Sequence, residues 1–158
     1  MMNHSEGKIF LADERGTCET ERFRSQFTFN SGNYFNPFKH PFGNIHEVND
    51  HMLAGGATQE IDVYEGFHLI LLPVSGAIRY KDALVPGTLI AAGQAQIISA
   101  NNNSVFSLAN PFIEETVNYL QILIKANDIP AQRVVYLSTY DNLNRNRNGL
   151  ITVFSGVS

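Results

Sequence analysis

Apolar residues in this chain come in short runs broken by glycine, proline or asparagine, and no stretch shows the three-and-four spacing of an amphipathic helix. Phe23, Phe27 and Phe29 alternate with polar neighbours, as a half-buried strand requires. By the same reasoning we expect strands at Lys8–Ala12, Ile45–Met52, Glu60–Tyr64, Phe67–Val74, Ala77–Lys81, Thr88–Ala92, Gln94–Ala100, Val105–Leu108, Val117–Lys125 and Arg133–Ser138. Turn chemistry separates them, at Asp13–Gly16, Ser75-Gly76, Val85–Gly87 and Asn101–Asn103. Ser75-Gly76 is placed to close a hairpin between Phe67–Val74 and Ala77–Lys81. Many short strands with regular corners predict an all-β sandwich or barrel, and antiparallel closure removes edges that would otherwise aggregate. Between Asn30 and Phe42 runs a loop whose aromatics, Tyr34, Phe35, Phe38 and Phe42, are expected to pin it to the barrel. Beyond Lys125 we expect the strand at 133–138, a polar linker at Asp141–Asn148 and a last β-type segment at Leu150–Phe154.

The 158 residues suffice for one domain with a sizeable core, and 44% hydrophobic against 16% charged residues marks a globular chain. A net charge of −4 with scattered lysines and arginines supplies no basic stripe, which argues against a nucleic-acid partner. No apolar run approaches the roughly 20 residues that span a bilayer, so no membrane partner is expected. The polar start, Met1 to Lys8, does not lead into a signal-like segment, and a cytoplasmic location is the simplest expectation. Cys18 is the single cysteine, read as a solvent-side loop thiol among Thr17, Glu19 and Thr20.

Chemistry is concentrated in the run from Gly56 to Gly76. Glu60, Asp62, Tyr64 and His68 have even spacing, which on one uninterrupted strand would put them on one face, although Glu65-Gly66 is turn-like. Carboxylates and imidazole are suitable donors for iron, manganese or zinc, so Glu60, Asp62 and His68 form a candidate ligand set. The alternative is a hydrogen-bonded polar cluster in the barrel, or plain solvation. His40, His46 and His51 follow no common metal spacing and are read as solvated or packed, and one of His46 and Glu47 must face outward. No Gly-x-Ser-x-Gly, phosphate-binding loop or Cys/His pair supports acyl transfer or nucleotide hydrolysis.

Ala12-Asp-Glu-Arg-Gly16, Thr28-Phe29, Asn33-Tyr-Phe-Asn-Pro37, Phe42-Gly43, Val48-Asn-Asp50, Gly76-Ala77, Lys81-Asp82 and Tyr119-Leu-Gln-Ile122 occur in one consistent order. With them the chain resembles the pirin family of cupins, especially its quercetinase-like bacterial members, over residues 8–138. The resemblance implies a cupin-type antiparallel β-barrel (double-stranded β-helix, or jelly roll) holding one metal, usually iron, through three histidines and a glutamate. Those four positions fall here on Asp62, Tyr64, Phe106 and Leu108. A phenyl ring and an isobutyl group offer no electron pair, so we expect no metal or other cofactor bound in the family's manner. The expectation is a non-catalytic binding or interaction module, with Glu60, Asp62, Tyr64, His68, Phe106 and Leu108 around a pocket for a small organic ligand. The alternative is a metal-dependent enzyme like quercetin 2,3-dioxygenase, using iron or another divalent transition metal on Glu60, Asp62 and His68. Pirins carry two barrels in tandem. Here residues 1–138 would form the N-terminal barrel and 139–158 a linker and strand, with the second barrel absent and a homodimer in its place. A monomer in light scattering would overturn the homodimer.

Overall fold

Val117–Lys125 is the strand on which the molecule is organised: Val117, Tyr119, Gln121 and Leu123 turn to one side, Asn118, Leu120, Ile122 and Ile124 to the other. The computed structural model describes residues 7–83, 87–128 and 134–139. It contains eleven strands among them: β1 (Gly16–Glu19), β2 (Phe23–Phe27), β3 (Ile45–Leu53), β4 (Thr58–Val63), β5 (Phe67–Ser75), β6 (Ala77–Lys81), β7 (Thr88–Ala91), β8 (Gln94–Ser99), β9 (Ser104–Ala109), β10 (Val117–Lys125) and β11 (Val134–Thr139). They form a seven-stranded sheet, β1-β2-β3-β10-β5-β8-β11, facing a four-stranded one, β4-β9-β6-β7. Every pairing is antiparallel. This is the all-β architecture that the strand pattern predicts, in the jelly-roll barrel form that the resemblance implies. The linker at 141–148 and the segment at 150–154 lie outside the described residues.

Between the sheets the core is built from alternate residues of each strand: Ile61 and Val63, Leu69 and Leu71, Ile78 and Tyr80, Phe106 and Leu108, with Ile90, Ile98, Tyr119 and Leu123. Strands with a two-residue period can bury one face and expose the other, as β4, β9 and β10 do, whereas β5 and β8 carry buried residues on both faces. At the closed side β7 lies against β8. At the other side β4 is the edge of the small sheet, while β2 and β1 extend the large sheet past it.

Three expectations need correction. The hairpin between Phe67–Val74 and Ala77–Lys81 does not form: β5 pairs with β10 and β8, and β6 pairs with β7 and β9. A single residue, Gly76, separates the two strands, too few for a two-residue hairpin turn. It has φ +71°, and an added Cβ would stand 2.8 Å from Val117 Cγ1, so this glycine lets the chain step from one sheet to the other. Residues 8–11 are not a strand either. Ala12–Glu14 forms a 3-10 turn, and Phe10 is drawn into an edge-on contact with Phe29 at 4.8 Å. The first strand instead starts at Gly16, pairing with β2. In the aromatic loop, Tyr34 stacks on Phe27 at 5.9 Å and lies so close to Gly16 that any side chain there would meet its ring. Phe42 reaches Phe10 at 6.3 Å, but Phe35 and Phe38 are 73% and 80% exposed and pin nothing among the described residues.

Candidate functional site

The sequence candidates separate into three places. Phe106 and Leu108, on β9, point between the sheets and are 3% and 0% exposed. Across from them in the β4 register stand Ile61, opposite Phe106, and Gln59, opposite Leu108. Tyr80 packs on the Phe106 ring at 4.8 Å and its hydroxyl donates a hydrogen bond to Asp82 Oδ2. Glu60 and Asp62 occupy the alternate positions of β4 and are exposed, as is Tyr64 just past the strand end. His68 lies on the other sheet, on the side of β5 opposite to the core residues Leu69 and Leu71. Its Nδ1 is 2.7 Å from Ser99 Oγ. Glu60, Asp62 and His68 therefore do not converge, and among the described residues no three His, Cys, Asp or Glu side chains are grouped to hold a metal. The expected six-residue pocket is not assembled. A one-residue offset explains why: in a strand it exchanges the buried face for the exposed one, and β4 turns Ile61 and Val63 inward where Asp62 and Tyr64 were expected.

A different cluster occupies the open side of the barrel. On β3 the residues sharing the inward face with Leu53 are Glu47, Asn49 and His51, and on β10 the matching residue is Gln121. With Ser25 of β2 and Gln59 of β4 they line a cavity of about 220 Å³. Phe23 and Phe27 form apolar walls, and Glu60, Asp62 and Tyr64 of the edge strand border it. His51 is 3% exposed and Asn49 1%. The imidazole stacks on Phe23 at 5.9 Å, leans on Tyr119 at 5.0 Å and shares a 2.5 Å hydrogen bond between Nδ1 and Ser25 Oγ. Burial lowers its pKa to about 4, against smaller upward pulls from the Asp50 charge and the Gln121 side chain, so it is neutral at pH 7. Tyr119 donates its hydroxyl to Gln59 Oε1 at 2.7 Å, and burial pushes that phenol's pKa up.

Glu47 collects the remaining donors: Ser31 Oγ at 3.0 Å, Asn49 Nδ2 at 3.2 Å and Gln121 Nε2 at 3.2 Å. Two buried polar atoms of the cavity wall, Asn49 Oδ1 and His51 Nε2, have no hydrogen-bond partner. Leaving such atoms unpaired costs about 1–3 kcal/mol each. Sequence reading passes over this cluster because it treats His51 singly. The signal was present in the alternation Glu47, Asn49, His51, Leu53, a polar run continuing a core face.

Two antiparallel sheets closed face to face, with the chain stepping between them at Gly76, define a cupin-type barrel. No protein-family model matches the sequence. Quercetin 2,3-dioxygenase of Escherichia coli (strain K12) is 26% identical over 113 residues, 72% of this chain and 49% of the enzyme. The solved structure of YhhW from Escherichia coli superimposes with a TM-score of 0.78 at 22% identity, covering 85% of this chain and 57% of that one. A second structure, bacterial pirin YhhW in complex with nickel(II), gives a TM-score of 0.72 at 22% identity over 82% of this chain and 56% of that one. In sequence and fold together, the chain is similar to the pirin/quercetinase-like cupins. It spans about half the length of the relatives it matches.

Proposed function

We propose that this barrel is a non-catalytic small-molecule-binding module that operates without the metal held in the nickel(II) complex of its structural neighbour. The observation that carries this reading is the direction of Phe106 and Leu108. Both fill the space between the sheets beside Ile61, Val63 and Tyr80, where a resident ion would need nitrogen or oxygen donors. The donor set does not fit: Ile61, Val63, Phe106 and Leu108 are hydrocarbon, the Gln59 amide oxygen opposite Leu108 already accepts from Tyr119, and Glu60 and Asp62 are exposed at the alternate positions of the edge strand. A transition metal placed there would have to displace buried side chains and gain no ligands in return.

Binding is supported at the neighbouring cavity, which has the concave shape, apolar walls and few convergent polar groups of a ligand site. Its neutral imidazole and amides can orient a molecule, and nothing in the wall is an activated nucleophile. Ser25 is itself fully buried beneath His51. The competing reading is a metal-dependent dioxygenase, favoured by the sequence match to quercetin 2,3-dioxygenase. Elemental analysis of protein purified without chelators separates the two. We expect transition metal far below one ion per chain, and a stoichiometric ion that survives gel filtration overturns the proposal.

A further inference from the structure

We infer that the cavity between β2, β3, β10 and β4 takes a small organic ammonium, a primary amine carried on a single-ring or similarly compact apolar body. This rests on the cavity being the binding site proposed above, and names the class of ligand.

The groups left open in the cavity wall are acceptors. Asn49 donates through Nδ2 to Ser31 Oγ and Glu47 Oε2, both at 3.2 Å. A carboxylate only accepts, so Glu47 fixes the amide's orientation and turns Oδ1 away as a buried acceptor with no partner. Glu47 itself is met by neutral donors alone, and two of its three hydrogen bonds are 3.2 Å long. Its two oxygens have about four acceptor positions between them, so capacity remains. His51 Nε2 is the third open atom. In the tautomer whose Nδ1 proton lies on Ser25 Oγ, its lone pair is an acceptor too. An alkylammonium has three N–H donors and no acceptor, which suits the spare capacity of Glu47 with Asn49 Oδ1 and, in that tautomer, His51 Nε2 near it.

Charge points the same way. The residues lining the cavity include Glu47, Glu60 and Asp62 and no lysine or arginine. A carboxylate or phosphate ligand would meet negative potential with no cation to pair, while an amine would be attracted and its ion pair formed partly out of water. Phe23 and Phe27 supply a hydrophobic and cation–π wall. The volume of about 220 Å³ lies below the usual drug-sized range, which limits the body to about one ring.

The test is a near-isosteric series, benzylamine, benzyl alcohol and benzoate, titrated into the full chain by calorimetry and followed by amide and side-chain NMR shifts. Benzylamine is expected to bind at least about tenfold tighter than benzyl alcohol, with shifts centred on Glu47, Asn49 and His51, and benzoate not to bind. Glu47→Gln should reduce the amine's advantage to within about threefold. If that variant fails to fold, the wild-type series decides alone. Benzoate or benzyl alcohol binding as tightly as the amine overturns the ammonium assignment and leaves the binding module standing. Absence of saturable binding by all three, or amine shifts spread over surface acids away from these residues, also overturns it. The metal-free reading is judged separately, by elemental analysis.

Discussion

The space between the two sheets has two halves that differ in chemistry although the same strands cross both. Around Phe106 and Leu108 it is closed, filled by Ile61, Val63, Tyr80 and their neighbours. Around His51 and Asn49, where β4 is the edge of the small sheet among the described residues, it is open and polar, and buried atoms lack partners. One pair of sheets thus packs its centre with hydrocarbon and leaves polar groups uncovered at its side. Close packing at the centre supplies stability, while the unpaired groups at the opening cost stability that a ligand can return.

The largest effect should come from the packed half. Phe106→Ala removes a buried ring from between Tyr80 and Ile61, and should cost about 3–5 kcal/mol in urea unfolding. A loss below about 1 kcal/mol would mean that this half is not the close-packed one.

The open half should reveal itself through pH. His51 falls from its ordinary 6.5 to about 4 on folding, so the folded state resists protonation more than the unfolded chain does. Its contribution is at its full value above pH 6.5. As pH falls from 6.5 towards 4 the unfolded chain takes up the proton first, and stability declines by up to about 3 kcal/mol. Denaturation measured between pH 7 and 4 checks the slope, and His51→Gln should flatten it. The same slope in that variant would assign it to other groups. Asp50, whose charge opposes the fall, is the first to substitute next.

Smallest of all should be Glu60→Ala and Asp62→Ala, exposed residues of the edge strand at the rim of the cavity. Each is expected to change stability by no more than about 0.5 kcal/mol and to leave metal content unaltered. A fall in bound metal with either variant would revive a ligand role for the edge strand and erase the contrast between the two halves.

Much of the fold was legible in the residues. Val117–Lys125, a run of mostly apolar and β-branched residues, forms its strand over the expected span. Ile45–Met52 and Val105–Leu108 fall within a residue of β3 and β9 at each end. What eluded a linear reading depended on neighbours distant in sequence. Gly16–Glu19 has hardly any apolar residue to announce a strand, and exists because β2 offers it hydrogen bonds. Ser75-Gly76 has hairpin-like chemistry, but β10 and β8 claim β5 first.

The candidate site shows the same division more sharply. The resemblance put the family's ligand positions of this stretch on Asp62 and Tyr64, yet counting along a chain cannot resolve a one-residue offset. With a side-chain period of two, that offset reverses inside and outside. The sequence alone determined an all-β barrel, its alternating core positions and the hydrocarbon nature of Phe106 and Leu108. Only the tertiary structure decided which face of β4 turns inward and that Glu47, Asn49, His51 and Gln121 meet across β3 and β10. Alternation is a local property that any strand displays by itself. The meeting of polar groups from β2, β3, β4 and β10 depends on register between segments far apart in the chain, which is set when the sheets close.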